Sequence, residues 1–342
     1  MKGLHFFDRV VFLINSIAAA LLLFSYILPY VSPRNFAALS VLSLTVPLLL
    51  ILNVLFLVYW LLKVKKQVLL SLFVLLVGFS YLGSLYKFSS SKKESNSEQL
   101  AVMSYNVRLF NVYNWIEEEA IGDKIMRFIQ KENPDVISFQ EYHPDKDVNS
   151  DAYPFKYEKL SGQRMQHGQA IWSKYPFSAT GSIEFRDTAN NAIYADIVRD
   201  GDTIRIYNVH LQSSGINPGL EPLKDTDSKR LLKRASETFR MQQEQAEQVV
   251  IHMQASPHKV IVCGDFNNTA YSYVYNVLKG ERTDNWESAG NGFGRTFLFK
   301  YFPVRIDFIL SDPEFTVDSF RTYDVKLSDH FPVLSKLSLT DK

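Results

Sequence analysis

Three long apolar runs, at 10–31, 36–62 and 68–86, crowd into the first 86 residues of this 342-residue chain, and nothing like them follows. Each is about as long as the roughly 20 residues a helix needs to cross a bilayer, and the second has no charged residue. A cleavable signal peptide competes for the first run, because Lys2 and Arg9 precede it. That run is long for a signal and two more follow, so the pattern predicts a three-helix membrane anchor over 1–86. Lys and Arg favour the cytoplasmic side of short loops. Lys2, Arg9, Lys63, Lys65 and Lys66 lie on one side of such an anchor and Arg34 on the other. The expectation is a multi-pass protein of the cell inner membrane whose remaining chain faces the periplasm or exterior, although Lys87, Lys92 and Lys93 argue the other way.

After residue 86 the composition turns to Ser, Lys, Glu and Asn. Such a stretch buries too little apolar area to fold, and 87–99 is expected to be a flexible linker. Residues 100–342 then form a domain long enough for one large core. Of the 37 basic and 36 acidic residues, 9 and 3 fall before residue 99, leaving 28 and 33 after it and a net charge of −5 for the later part. Binders that rely on neutralising phosphates are more often basic. Cys263 is the lone cysteine, which excludes an intrachain disulfide.

From residue 100 short apolar runs alternate with amphipathic ones. Strands are expected at 101–107, 136–139, 170–173, 192–198, 203–210, 260–263, 305–310 and 333–337, and helices at 124–131 and 228–253. Many strands in mixed order with few helices predict an α/β sandwich of two sheets covered by helices. No phosphate-cradling glycine loop is present, and Gly292-Phe293-Gly294 reads as a tight turn. The basic residues Lys224, Lys229, Arg230, Lys233, Arg234 and Arg240 suit a substrate-facing arm, a membrane contact or a solvated helix face.

Polar clusters interrupt these buried strands. Asp265 and Asn267 follow an apolar run, and two residues apart on an extended segment they point to one side. There a carboxylate can orient water while an amide reaches a phosphate oxygen, and an Asx-turn is the structural alternative. Glu141 ends a strand as a carboxylate suited to a hard cation such as Mg²⁺, although a solvated surface role is the commoner one. His210 ends another, where a satisfied buried imidazole is the common use. Asp307 lies within an apolar strand and needs a partner, for which His330 is chosen. An imidazole beside a carboxylate stays protonated to higher pH and can stabilise charge building on phosphorus.

These motifs, in this order, resemble the endonuclease/exonuclease/phosphatase superfamily. The likeness spans about residues 100–337 and includes Ser104-Tyr105-Asn106, Gln140-Glu141, the run from Gly168 to Pro176, Asn208-Val209-His210, Gly264-Asp265-Phe266-Asn267, Arg305-Ile306-Asp307-Phe308 and Ser328-Asp329-His330. The resemblance implies a four-layered α/β sandwich of the deoxyribonuclease type, here preceded by three transmembrane helices. It also implies a metal-dependent phosphoester hydrolase with Mg²⁺, or Mn²⁺, as cofactor. Glu141 would be the principal metal ligand, with Asn106 near metal and phosphate and Asp329 supporting the metal. Asp265 would activate water, Asn267 and His210 would contact phosphate oxygens, Asn208 would belong to the substrate-binding set, and His330 with Asp307 would stabilise the transition state. The Leu-Asn-Tyr-Arg continuation of inositol polyphosphate 5-phosphatases is absent, since Asn268-Thr269-Ala270-Tyr271 stands there. The expected partners are the lipid bilayer and a phosphoester, with a lipid head group as the leading substrate; no protein partner is inferable. A surface nuclease and a silent tethered binding module are the alternatives.

Overall fold

The computed structural model describes residues 4–88, 99–144, 148, 151–163, 165–213, 215 and 225–339. The apolar part forms α1 (Phe6–Ser25), α2 (Pro33–Ser40), α3 (Val46–Leu62), α4 (Val68–Val77) and α5 (Phe79–Gly83), with a 3-10 turn at Val41–Thr45 between α2 and α3. Two continuous helical stretches, Phe6–Tyr30 and Pro33–Leu62, are long and apolar enough to cross a membrane. The third run is not a third such helix. It breaks at Gly78, against which the Tyr26 ring packs so closely that a Cβ there would lie 2.0 Å from it. The 10 residues of α4 rise only about 15 Å, half of a bilayer core. Helices α1, α3 and α4 pack through a buried polar chain in which Trp60 Nε1 donates to Asn15 Oδ1 at 2.9 Å and Asn15 Nδ2 donates to Ser71 Oγ at 2.8 Å.

Residues 89–98, most of the expected linker, lie outside the described residues. Its first residue is in a short strand, β1 (Tyr86–Lys87), paired antiparallel with β11 (Gly292–Phe293). The Gly292 turn expected from sequence is therefore partly strand.

The rest is a mixed α/β sandwich of two six-stranded sheets. One runs β13 (Phe315–Thr322), β14 (Val333–Leu339), β2 (Leu100–Asn106), β3 (Val136–Tyr142), β5 (His167–Ser173), β4 (Phe155–Ser161). The other runs β10 (Thr283–Asp284), β12 (Asp307–Ser311), β9 (Lys259–Asp265), β8 (Asp202–His210), β7 (Asn191–Arg199), β6 (Phe177–Glu184). Strand alternation explains the layers. Leu100, Val102 and Val136 face Ile206, Ile261 and Ile309 in the core between the sheets. Met103, Tyr105 and Phe139 on the opposite face meet α6 (Ile121–Glu132). Tyr207, Val209 and Val262 meet α7 (Asp225–Gln254) and α8 (Tyr273–Lys279) on the other sheet's outer face. Central strands buried on both faces read as continuous apolar runs, which is why they were predictable.

Among the described residues, only β2–β3 and β8–β9 pair in parallel. These four strands end together at one edge of the sandwich. Antiparallel β12 begins there, with Asp307 opposite Asp265. Gly264 makes the β8–β9 approach possible: its φ is +139°, and a Cβ would lie 1.9 Å from the Val209 carbonyl oxygen. The basic residues Lys229, Arg230, Lys233, Arg234 and Arg240 fall on exposed positions of α7, while Lys224 lies outside the described residues.

Candidate active site

At that edge the chain turns polar because strand ends have lost their neighbours and face a cleft. Asn106, the last residue of β2, is buried and donates Nδ2 to Asp265 Oδ2 at 3.1 Å and to Glu141 Oε1 at 3.2 Å. Its own Oδ1 accepts from the Arg108 amide at 3.1 Å. One amide thus ties the two sheets together between two carboxylates.

Glu141 sits at an irregularity in the β3–β5 pairing with φ +48°, a conformation that costs a non-glycine residue about 1–3 kcal/mol. Asn267 also has positive φ, +49°, which Asn tolerates. Its amide N–H donates to Asp265 Oδ1 at 2.8 Å and its Nδ2 to the Leu211 carbonyl at 2.9 Å.

The Asp307 carboxylate meets His330 Nδ1 at 3.0 Å, as the sequence predicts. Asp307 is itself held by its amide, which donates to Thr296 Oγ1 at 3.0 Å. His330 Nε2 lies 3.7 Å from Asp265 Oδ2, and His210 Nε2 lies 3.8 Å from the same oxygen. Phe297 presses edge-on against His330, ring centroids 4.9 Å apart.

Charge follows from burial and these neighbours. Burial alone would lower the His330 pKa, but the Asp307 and Asp265 carboxylates outweigh it and push it up to about 10. Burial pushes the Asp265 carboxyl well above the ordinary range, His330 opposing and Asp307 adding. Burial pushes His210 down, so its ring is neutral. The site therefore holds one imidazolium, one neutral imidazole and a carboxylate whose proton affinity is raised toward that of a general base.

A cleft of about 360 Å³ opens onto Glu141, Asp265, Asn267, Asp329 and His330. Asn208 is not part of it. It is fully buried between the sheets, where Nδ2 donates to the Phe139 and Ala170 carbonyls at 2.7 and 3.1 Å and Oδ1 accepts from Gln140 Nε2 at 2.6 Å. Two side chains given no role from sequence shape the site. Arg108 pairs with Asp329 at 2.9 Å and stacks on Trp115, and Ser328 Oγ donates to the Asn106 carbonyl at 2.9 Å, tying the C-terminal turn to β2. Arg108 follows Asn106 by two residues, and that proximity was the only signal for it.

A sequence model described as the endonuclease/exonuclease/phosphatase family matches residues 103–330, the whole span from β2 to His330. The chain belongs to this family. A second model, a domain of unknown function (DUF8431), matches residues 8–85. No curated protein sequence matches the chain. Among solved structures, an endonuclease/exonuclease/phosphatase from Beutenbergia cavernae shares 17% identity at a TM-score of 0.53, covering 71% of this chain and 72% of that one. D. rerio TDP2 complexed with a single-strand DNA product shares 19% at 0.51, covering 71% of this chain and 100% of its own. The Bacteroides thetaiotaomicron mannosyl-6-phosphatase Bt3783 shares 20% at 0.52, covering 70% and 100%. These likenesses establish the sandwich fold. As a member of the family the chain is a metal-dependent phosphoesterase.

Two sets of side chains compete for the metal. Asp265, Asp307 and His330 bring ligand atoms within 4.8 Å of one another. In this trio His330 Nδ1 faces the Asp307 carboxylate at 3.0 Å and Nε2 faces Asp265 Oδ2 at 3.7 Å, so both ring nitrogens are turned to carboxylates and the three groups are arranged as an Asp–His–Asp relay. Glu141 and Asp329 instead present oxygen donors to the cleft, the chemistry a hard divalent cation takes. Asp329 is neutralised by Arg108, so contact through water fits it better than direct ligation.

Proposed function

We propose that the protein is a membrane-anchored, divalent-metal-dependent hydrolase in which water attacks phosphorus, with a phosphodiester of a lipid head group as substrate. The observation that carries the chemistry is the convergence of Asn106, Glu141, Asp265, Asp307 and His330 on one strand edge. A bound Mg²⁺ or Mn²⁺ would neutralise phosphate charge and polarise the phosphorus centre. Glu141 would hold it, with Asn106 beside it and Asp329 supporting it through water.

Asp265 takes the proton of the attacking water as the new O–P bond forms, while the ester O–P bond breaks with its electron pair leaving on the ester oxygen, which takes a proton from solvent. His330, held by Asp307, keeps Nε2–H directed at the charge that builds on the phosphate oxygens. Asn267 retains a free amide hydrogen for a phosphate oxygen, and the neutral His210 ring donates from the other side. Asn208 holds the sheets in register behind them.

The anchor consists of residues 1–86 and the catalytic domain of 100–342. Support for an outward-facing domain comes from the ends of the helices. Asp8 and Lys63 pair at 3.1 Å at one end, near the basic cluster Lys63, Lys65 and Lys66, whereas Arg34 at the other end reaches Glu247 of the catalytic domain at 3.0 Å. The segment α4–α5 then carries the chain back toward that domain.

The deciding experiment is hydrolysis of a substrate panel by the full chain: sphingomyelin and phosphoinositide vesicles, single- and double-stranded DNA, and RNA. EDTA should abolish turnover and Mg²⁺ or Mn²⁺ restore it, with lipid phosphoesters cleaved faster than duplex DNA. Full turnover in metal-free buffer defeats the metal assignment, and cleavage of nucleic acid alone defeats the lipid one.

A further inference from the structure

The catalytic cleft is lined by two unlike sets of side chains. Besides its polar residues it is lined by Phe297, Phe299, Phe302, Val304, Ile306 and Leu44. The first five come from the connection between β11 and β12. Leu44 comes from the apolar N-terminal unit, some 220 residues away from Asp265 in sequence.

Leu44 is held in place by specific contacts. Its neighbour Ser43 is buried, and the Ser43 carbonyl accepts from Thr269 Oγ1 at 3.2 Å, four residues beyond Asp265. Ser32 Oγ and the Arg34 amide both donate to Gln243 Oε1 on α7, at 2.9 and 2.8 Å. The adjacent Gln242 donates Nε2 to the Asn267 carbonyl at 3.2 Å and accepts from Asn268 Nδ2 at 2.8 Å. One turn of α7 therefore grips the N-terminal unit with one glutamine and the catalytic loop with the next.

We infer that the N-terminal unit is a component of the active site and that Leu44 is a specificity-determining residue, receiving hydrocarbon attached next to the scissile phosphate. This rests on the catalytic reading of the cleft given above. The substrate class is then an amphiphilic phosphodiester. A polar leaving group placed against six apolar side chains would lose its hydration without gaining partners, and Arg108, the cation beside the site, is held by Asp329. An alkyl chain there buries apolar area instead.

The test uses the full chain in mild detergent with Mg²⁺ and two water-soluble substrates, methyl and hexyl p-nitrophenyl phosphate. The readout is the hexyl-to-methyl ratio of kcat/KM. Wild type should favour hexyl, Leu44→Ser should lower the ratio about tenfold, and Leu44→Met, which restores the volume, should keep it. Should Leu44→Ser not fold, Leu44→Trp reads the same ratio, which falls because the indole fills the space of the alkyl chain. A wild-type ratio near one, or a ratio indifferent to residue 44, overturns the inference. Hydrolysis of neither ester overturns the catalytic reading itself, a result distinct from a flat ratio.

Discussion

Two carboxylates, Asp265 and Asp307, face each other across β9 and β12, and the imidazolium of His330 lies against both. Removing His330 would leave the two buried carboxylates without their shared cation. Asp265→Asn, which cannot take the proton of water, should lower kcat by about 10² or more with little change in KM. Near-wild-type turnover of the purified variant would show that another group is the base. His330 gains its charge from its partners: its pKa is raised from 6.5 to about 10, so the imidazolium persists throughout neutral pH and is lost only as pH rises through that value. In the metal-free protein its ring NMR signals should therefore stay at imidazolium positions between roughly pH 6 and 8. Asp307→Asn should bring the midpoint down by removing a carboxylate, and a wild-type midpoint near 6.5 would refute the relay. These residues were legible in sequence because a polar side chain at the end of an apolar strand needs a reason to be there. The same signal drew in Asn208, whose amide faces carbonyls: a polar group within a buried strand also marks a strut, and sequence does not tell an amide facing a cleft from one facing carbonyls. Arg108 and Thr296 gave no signal of their own, because their roles depend on Asp329 and Asp307, distant in sequence and near in space.

At the scale of elements, Asn208 on β8 and Gln140 on β3 link the two sheets directly behind the site. Asn208→Ala would take the Asn208 donor from the buried Phe139 and Ala170 carbonyls and the shortest acceptor from Gln140 Nε2, which keeps Ser104 Oγ and the Ser138 carbonyl. The expected cost is about 1–3 kcal/mol, read as a lower thermal midpoint. Unchanged midpoints would show that relaxation or water replaces those bonds. The central strands were predictable within a few residues, but β4, β6 and β13 were not. Each is an edge strand, and β4 is half-buried along most of its length, so neither a continuous apolar run nor a clean alternation marks it. The third apolar run failed as a single helix for a reason invisible to hydropathy: the backbone leaves the helical conformation at Gly78, with φ −99° and ψ 31°.

At the scale of the whole molecule, the apolar unit meets the catalytic domain at several separated places. One is the clamp of Ser32 and Arg34 on α7. A second joins Ser43 to Thr269 beside the cleft. A third joins Ser84 Oγ to Glu287, stacks Tyr81 on Tyr271 and pairs Tyr86 and Lys87 with Phe293 and Gly292. A body fastened at several points does not swing as it would on a single leash. With its helices in a bilayer, the enzyme would carry its cleft at one fixed attitude and encounter substrate by diffusion in two dimensions. Turnover should then follow the mole fraction of substrate in the surface, so that adding inert phospholipid to vesicles at constant bulk substrate slows the reaction in proportion. A rate set by bulk concentration alone would mean that the cleft samples solution freely, whatever the helices do.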